Sequence, residues 1–420
     1  MEDYFMYFRQ PRYFSDFKCI GGTCSNSCCI GWRIDWYRSE IDKITGDPRC
    51  SEELKELVNK SFTQLENSER YLVALGAGGR CPFLAEDNFC KIQRELGAEY
   101  LSNTCSIYPR HHIIAGEAAY RYCNMSCPEV MDKLLNIEKS MDLVNVAIRE
   151  KGTVKGAVMN NEKLLAEHPE LKYRGELLEF FYEIIVDKKH DVETSIILGA
   201  LAAQSLSKIV AAKDYDGIPE AIKQIKPQLH NGAQLRSIEN IKPNYYVKLG
   251  AAGEMLKSIF QVNIMSALTD KEGKPNIELY VRDEKRLADT FKERQFYLRN
   301  IALNLLLEFA LPFKFTDKTI FENYSIFATA FALFKLNVIA TAELTDKAER
   351  STSNSKVNVV GDIKLNVKVT VKYDTEKYIN KSASLISRNL CHNDENAKKL
   401  LEDLHNRNFS TPAYLALLIK

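Results

Sequence analysis

Residues 19–29 read Cys19-Ile-Gly-Gly-Thr-Cys24-Ser-Asn-Ser-Cys28-Cys29, which places four thiols within eleven residues. The spacers between the cysteines are small, and Gly21 and Gly22 allow backbone conformations with positive φ. A backbone of this kind can wrap around a compact centre and bring several sulfurs together. The stretch therefore predicts a metal-binding segment instead of a regular helix or strand.

Five more cysteines continue the pattern over the next hundred residues. Ten of the eleven cysteines precede residue 130, and Cys50 and Cys391 stand outside the pattern as predicted buried thiols. A disulfide framework needs an oxidising compartment, whereas clustered cysteines in a reducing compartment indicate a metal site or catalysis. The predicted metal ligands are Cys19, Cys24, Cys28, Cys29, Cys81, Cys90, Cys105, Cys123 and Cys127.

The spacing and number of these cysteines favour an iron–sulfur centre, with a 4Fe-4S cluster as the expected type. Cys-Pro occurs at residues 81–82 and 127–128, and proline follows a ligating cysteine in bacterial ferredoxins. Nine thiols also exceed the needs of one single-metal site. Structural zinc is the alternative metal, because it takes four cysteines tetrahedrally. The adjacent Cys28 and Cys29 are predicted to point apart, so that one ligates while the other is structural or serves a second centre.

Composition excludes several other classes of function. The chain has 420 residues, 45% hydrophobic and 27% charged, with a formal net charge of +1. This near-neutral balance indicates no bulk attraction to nucleic acid or to an anionic membrane. The first residues lack the apolar segment of a signal peptide, and the apolar runs at 301–311 and 325–334 are too short to cross a bilayer. We therefore expect a cytoplasmic protein without nucleic-acid or membrane partners.

Three regions differ in amino-acid composition and in the spacing of their apolar residues, and together they predict a mostly α protein. Residues 1–130 form a loop-rich, cysteine-rich metal module, 131–350 a larger helical body, and 351–420 a C-terminal part that opens with a polar linker at 351–355. Alternating apolar residues over 356–372 predict a small β-hairpin. Apolar spacing predicts helices over 129–148, 173–186, 194–212, 245–268, 287–311, 320–344, 375–390 and 394–405.

The cysteine pattern, with a stretch near the far end, resembles the flagellin lysine-N-methylase family. The resemblance covers nearly the whole chain, except that the segment 356–372 has no counterpart. Its most specific stretches are Cys19-Ile-Gly-Gly-Thr-Cys24, Cys28-Cys29, Cys81-Pro-Phe-Leu84, Leu101-Ser-Asn-Thr-Cys105-Ser-Ile-Tyr-Pro-Arg110, Ser126-Cys-Pro-Glu129 and Ser387-Arg388 with His392-Asn393.

The resemblance implies a protein-lysine N-methyltransferase of the bacterial flagellum. It implies flagellin as the protein substrate, S-adenosylmethionine as the methyl donor and a cysteine-bound iron–sulfur centre. A lysine must be neutral to attack the methyl carbon, so the enzyme must accept a proton and orient the donor. Two alternatives stay open: a redox or electron-transfer iron–sulfur protein, and a non-catalytic zinc-stabilised interaction protein.

Four residues are candidates for the catalytic site: Tyr108, Arg110, Arg388 and His392. Arg388 and His392 lie four residues apart and are predicted to share a helix face that lines the substrate or donor site, unless His392 only caps the helix. Arg110 follows Cys105 closely and either compensates the charge of a thiolate-bound cluster or lies at the surface. The glycine-rich stretch 72–79 lacks the flanking elements of a Rossmann cofactor site and is predicted to be a loop that presents Cys81.

Overall fold

The computed structural model describes residues 4–32, 34–66, 68–115, 118–150, 157–158, 162–260, 264–270, 272–290, 292–354 and 375–420. The predicted fold class, mostly α with a small β part, is confirmed. Strands occur only in the first 158 residues of the described chain. They are β1 Tyr4–Pro11, β2 Asp35–Tyr37, β3 Phe62–Gln64, β4 Arg70–Val73, β5 Arg110–Ala115, β6 Ala118–Cys123, β7 Leu143–Glu150 and β8 Ala157–Val158.

A five-stranded sheet in the order β7-β1-β6-β5-β8 forms the base of the N-terminal region. β1 pairs antiparallel with β7 over its whole length and parallel with β6. The sequence predicted loops and short helices here, and it predicted one helix over 129–148. The observed helix covers Pro128–Asn136 only, and the chain then enters β7. That helix prediction is wrong in its second half because pairing with β1, more than 130 residues earlier, determines the conformation of the segment.

A second, smaller unit inserted between β1 and β5 has its own hydrophobic core. Its sheet has the order β2-β4-β3, and its buried side chains include Trp36, Ile44, Val58, Phe83 and Ile92. This group is called the second core below. The helices of the N-terminal region are α1 Tyr13–Asp16, α2 Arg38–Thr45, α3 Glu52–Lys60, α4 Lys91–Leu96, α5 Asn103–Ile107 and α6 Pro128–Asn136.

The rest of the described chain is a helical body that contains the main core. Its helices are α7 Glu162–Glu167, α8 Arg174–Val186, α9 Val192–Ala211, α10 Ile218–Gln228, α11 Gly232–Glu239, α12 Tyr245–Phe260, α13 Ile277–Thr290, α14 Phe296–Glu308, α15 Ile320–Asn354, α16 Thr375–Ile386, α17 Asp394–Asn406 and α18 Pro412–Ile419. The predicted helix over 287–311 is in fact the end of α13 followed by α14. The predicted linker at 351–355 is helical through Asn354, and the predicted hairpin over 356–372 lies outside the described residues.

The long helix α15 passes through the middle of this body. Two apolar segments, Val192–Ala211 and Ile320–Leu344, are long enough to cross a membrane by length and composition, but 56% and 94% of their apolar windows are buried against other parts of the chain. The apolar run at 325–334 was predicted to be too short to cross a bilayer, but it belongs to a longer apolar segment because the helix predicted over 320–344 continues past Lys335. Lys335 Nζ donates to Glu193 Oε1 at 2.7 Å, so the ion pair allows the charge inside the core.

Candidate functional site

Eight of the nine predicted metal ligands line one cavity of about 300 Å³ between the second core and the main core. This group is called the cavity cysteines below. Aromatic and apolar side chains, including Phe17, Trp32, Phe89 and Tyr108, fill the spaces between the sulfurs. The eight cavity cysteines are Cys19, Cys24, Cys28, Cys29, Cys81, Cys90, Cys105 and Cys127.

Tight turns and helix starts bring these cysteines together. Gly79 has φ +72° and packs against the backbone of Gly31, whose N–H donates to the Gly79 carbonyl at 2.8 Å. This contact confirms that the glycine-rich stretch is a loop leading to Cys81. Cys90 and Cys127 occupy the residues directly before α4 and α6. Burial raises the pKa of both thiols, and hydrogen bonds from the first-turn N–H groups of each helix offset part of this rise.

Burial makes most of the cavity thiols weak acids. It raises the pKa of Cys81 and Cys105 to about 12 and that of Cys127 to about 11. The exception is Cys29: a hydrogen bond from the adjacent Cys28 thiol lowers the pKa of Cys29, and the same bond together with burial raises the pKa of Cys28. The two side chains therefore meet, and the prediction that they point apart is wrong. A bound metal cation would deprotonate the remaining thiols, because coordination replaces the proton.

The other three cysteines do not reach the cavity. Cys123 was predicted to be a ligand, but its side chain is fully buried in the main core at the end of β6. Cys50 is buried in the second core, and Cys391 packs against the main core, as the sequence predicted for both. All eleven cysteines are free thiols. Among the described residues, no three His, Cys, Asp or Glu side chains are placed to hold a single metal ion.

An aromatic group with one arginine separates the cavity from the C-terminal helices. The Trp32 ring lies edge-on to Tyr108 with centroids 4.6 Å apart, and 5.7 Å from the His392 ring. His392 is also 5.9 Å from His111, and the Arg388 guanidinium carbon lies 5.1 Å from the Trp32 ring centre. These five residues are called the Trp32 cluster below. The structure thus brings together three of the four candidate catalytic residues, which come from opposite ends of the chain.

Arg388 presents unused hydrogen-bonding capacity within this cluster. Its Nε and Nη2 atoms are buried without a hydrogen-bond partner. The helix that was expected to carry Arg388 and His392 on one face ends at Ile386. Residues Ser387–Cys391 form a wider π-helical turn, and His392 follows it. The turn directs the side chains of Arg388 and His392 at Trp32. The two residues therefore lie close together, as predicted, but they do not share the face of a regular α-helix.

The fourth candidate, Arg110, also borders the cavity but does not join the Trp32 cluster. Its guanidinium lies 4.8 Å from the Phe17 ring centre and donates to the Phe17 carbonyl at 3.4 Å. Tyr108 exchanges a hydrogen bond of 2.8 Å with Ser126. Its pKa is raised, chiefly by burial, which keeps the phenol neutral at physiological pH.

A buried carboxyl group behind the Trp32 cluster was missed by the sequence analysis. Glu308, only 4% exposed, accepts hydrogen bonds from the Met125 N–H at 2.6 Å, from Asn304 at 2.9 Å and from the Ser387 hydroxyl at 2.6 Å. The Ser387 oxygen lies 3.4 Å from His392 Nε2. Burial raises the pKa of Glu308 to about 7. The sequence feature that could have identified Glu308 is its position as an acidic residue inside the apolar run 301–311.

The chain matches the sequence model of the FliB lysine N-methylase C-terminal domain over residues 178–418, more than half its length. The chain belongs to the FliB lysine N-methylase family. The predictions of this family and of its enzyme class are thereby confirmed. The matched region contains Glu308, Ser387, Arg388 and His392, whereas all eight cavity cysteines precede it. The site is therefore built from the family domain together with the N-terminal cysteine-rich region.

Curated relatives agree with this family assignment. The chain is 33% identical over 135 residues to the flagellar biosynthetic protein FliU of Salmonella muenchen, covering 32% of this chain and 80% of that protein. It is 27% identical over 252 residues to the lysine-N-methylases of Salmonella choleraesuis and Salmonella typhimurium, covering 59% of this chain and 59% of each relative. The alignment thus spans less than two thirds of those two methylases. No solved structure matches the chain significantly.

The pKa of Glu308 predicts how stability of this FliB-family chain depends on pH. A carboxyl group whose pKa is raised on folding contributes stability that is complete below the unfolded value and is lost as pH rises through the folded value. We expect the free energy of unfolding of wild type relative to Glu308→Gln to fall by about 3 kcal/mol between pH 4.5 and pH 8. Urea denaturation of both proteins at several pH values measures this difference. A difference that does not change with pH would contradict the assignment.

Proposed function

We propose that this chain transfers a methyl group from S-adenosylmethionine to the ε-amine of flagellin lysines, with an iron–sulfur centre at the cavity cysteines. The observation that supports this proposal is the Trp32 cluster, in which residues of the methylase-family domain meet the cavity. The reaction is placed in the cytoplasm. Both apolar helices of membrane-spanning length lie against other protein segments, in keeping with this placement.

The donor set at the cavity fits an iron–sulfur centre. Eight thiols face a space lined otherwise by apolar and aromatic side chains, and iron–sulfur clusters are held by cysteine thiolates. Single-ion zinc sites instead need four sulfurs about 2.3 Å from one point, a convergence that the described residues do not show. An iron–sulfur cluster held by these thiols would supply a one-electron redox centre and would fix the loops that carry Trp32 and Tyr108.

The methyl donor fits the Trp32 cluster. S-adenosylmethionine carries a carboxylate and a positively charged sulfonium group. The unpartnered Nε and Nη2 atoms of Arg388 form an edge that matches a carboxylate bidentately. The neighbouring rings of Trp32 and Tyr108 offer π surfaces that attract a sulfonium cation. These two features would hold the donor between the cavity and the protein surface.

The hydrogen-bond chain from His392 to Glu308 suits the removal of the lysine proton. Ser387 donates to Glu308, so its oxygen is free to accept from His392 Nε2, which leaves Nδ1 of His392 as a hydrogen-bond acceptor. One side of His392 is open to solvent, and the other side of its ring packs against Trp32 and His111. Partial desolvation by these neighbours and nearby positive charges lower the pKa of His392, so the ring is neutral at physiological pH.

Methyl transfer then follows with all atoms and electrons accounted for. His392 relays the proton of the lysine ammonium group, because its lowered pKa prevents the ring from keeping the proton, and the amine lone pair forms the new N–C bond. The C–S bond breaks, its electron pair stays on sulfur, and S-adenosylhomocysteine leaves. The proton passes from His392 to solvent, or along Ser387 to Glu308, whose pKa of about 7 suits a reversible acceptor.

A labelled-methyl assay with purified flagellin tests the proposal. Metal-replete protein prepared without oxygen is expected to place label on flagellin lysines. His392→Ala is expected to lower the turnover rate about 100-fold, the usual contribution of a general base. His405→Ala, a change at another partly exposed histidine, is the matched control and should keep wild-type turnover.

The outcomes separate the parts of the proposal. No label in any lysine would contradict the methylase function for this chain, and a reversible one-electron bleach in the same preparation would favour the redox alternative. Full turnover by His392→Ala would overturn only the assignment of the base. Label on lysine with zinc as the sole bound metal would retain the methylase function and remove the iron–sulfur centre.

A further inference from the structure

We propose that Lys314 is a positioning residue for the methyl-transfer reaction. Its ammonium group holds the chain on both sides of His392 and thereby fixes the direction of the histidine ring. The inference deepens the proposed function and rests on it for the role of His392. The bridge itself rests on contacts that Lys314 makes with the segment 391–394.

The ammonium group of Lys314 contacts two acceptors, one on either side of His392. Lys314 Nζ donates to the Cys391 carbonyl at 3.0 Å and lies 2.9 Å from Asp394 Oδ1. The Cys391 carbonyl belongs to the peptide group that leads into His392, and Asp394 begins α17 two residues after the histidine. Because the chain is held at both points, rotation of the backbone between them is restricted.

His392 lies at a junction where helix geometry alone does not fix the backbone. The π-helical turn Ser387–Cys391 ends there, with the His392 N–H donating to the Ser387 carbonyl at 3.1 Å. The next residue, Asn393, is extended with φ −128° and ψ 97°. Carbonyl groups in the last turn of a helix lack partners within that helix, and the Cys391 carbonyl obtains its partner from Lys314.

Lys314 is itself held in place, so it can serve as an anchor. Its side chain is only 10% exposed, and Nζ lies 5.7 Å from the Phe309 ring centre and 5.5 Å from the Phe315 ring centre. Asn323 in α15 fixes the backbone next to the lysine. Its side chain accepts from the Phe315 N–H at 2.9 Å and donates to the Phe315 carbonyl at 3.0 Å.

Glu308 and Lys314 hold opposite ends of the π-helical turn. The Ser387 hydroxyl, at the start of the turn, donates to Glu308, and the Cys391 carbonyl, at its end, accepts from Lys314. The Lys314 contacts lie at the end next to His392. We therefore expect loss of Lys314 to impair the proton relay, measured as kcat, more than binding of the methyl donor at Arg388.

Amide hydrogen exchange of the full-length protein tests the bridge without reference to activity. In Lys314→Met the amide hydrogens of residues 388–393 should exchange at least about 10-fold faster than in wild type, the effect of losing one hydrogen bond to a charged group. Lys318→Met, in the same loop, is the control and should leave this exchange unchanged, because Lys318 Nζ lies 3.3 Å from Asp317. Lys314→Arg should keep nearly wild-type protection.

Asp394→Asn tests the same bridge at a position that tolerates change, since the Asp394 side chain is 69% exposed. It should accelerate exchange of the same residues about 3-fold, the effect of weakening one exposed ion pair. Unchanged exchange in both Asp394→Asn and Lys314→Met would overturn the bridge. If Lys314→Met does not fold, the result for Asp394→Asn decides alone.

A double-variant comparison tests whether Lys314 acts through His392. Methyl-transfer rates are measured at pH 8.5, above the ordinary histidine pKa of about 6.5, so that the ring is neutral with or without the Lys314 charge. Lys314→Met should lower kcat about 10-fold with the KM for the donor unchanged. In a chain that already carries His392→Ala, the same change should lower kcat less than about 2-fold.

The outcomes separate positioning from a general structural role. Lys314→Arg should recover most of kcat, because the guanidinium group can reach both acceptors. An equal loss of kcat with and without His392, or a loss mainly in the KM for the donor, would overturn the positioning role. Absence of label with the wild-type protein would contradict the proposed function, whereas the exchange comparison would still decide whether the bridge exists.

Discussion

Replacing Arg388 with glutamine is expected to lower the ratio kcat/KM for S-adenosylmethionine about a thousandfold. The guanidinium edge that faces the Trp32 cluster has no partner within the protein, so its energetic use lies in binding an anionic group. Removing one partner of a desolvated charge pair costs about 2–5 kcal/mol, which corresponds to a change of this size. Initial methyl-transfer rates at a series of donor concentrations measure the loss.

The two kinetic constants distinguish donor binding from a structural role for Arg388. We expect the loss mainly in KM for the donor, with the KM for flagellin unchanged. Arg388→Lys should recover only part of the affinity, because an ammonium group keeps the charge but lacks the bidentate edge. Arg407→Gln, at the residue directly after α17, is the control. Equal loss in kcat at saturating donor, or full activity of the glutamine variant, would contradict the assignment.

Replacing Glu308 with alanine is expected to reduce the free energy of unfolding by about 3–5 kcal/mol. The carboxyl group is the shared acceptor for the Met125 backbone, Asn304 and Ser387, and its loss leaves buried donors unsatisfied. These partners belong to the N-terminal region, to α14 and to the π-helical turn. Glu308 therefore links the N-terminal cysteine-rich region to the segment that carries Arg388 and His392.

Urea denaturation at pH 5, where Glu308 is protonated in the folded protein, measures the loss of stability in the alanine variant. Glu254→Ala, at an exposed position in α12, serves as the control and should stay within about 0.5 kcal/mol of wild type. Glu308→Gln should retain most of the stability, because the amide oxygen can still accept from the Met125 N–H. If Glu308→Ala were as stable as its control, the hydrogen bonds that Glu308 accepts would not stabilise the packing of the N-terminal region against the π-helical turn, and the prediction would be contradicted.

The cavity could be predicted from sequence because close cysteine spacing limits where the sulfurs can go. The error at Cys123 shows the limit of this argument. Cys123 and Cys127 have the same spacing as Cys24 and Cys28, but Cys123 ends a strand whose inner face points into the main core. The spacing of cysteines along the chain does not reveal which face of a strand a cysteine occupies. The two strands that pair with β6, β1 and β5, contain no cysteine that would indicate the face.

Long-range contacts explain most of what the sequence did not predict. β1 owes its conformation to β7 and β6, and the five members of the Trp32 cluster come from residues 32, 108, 111, 388 and 392. Local periodicity located α8 and α9 within two residues, because their apolar faces are set by nearby residues. Glu308 was seen only as an interruption of an apolar run, since its partners at 125 and 387 are far away in sequence.

The most direct test of the account combines methyl transfer with metal exchange. Protein purified without oxygen is stripped of metal and then reconstituted with either iron and sulfide or zinc alone, and label transfer to flagellin lysines is measured for each form. We expect transfer by the native protein, at least about 100-fold less by the stripped protein, and recovery with iron and sulfide only. Equal transfer by the stripped protein, or full recovery with zinc, would contradict it.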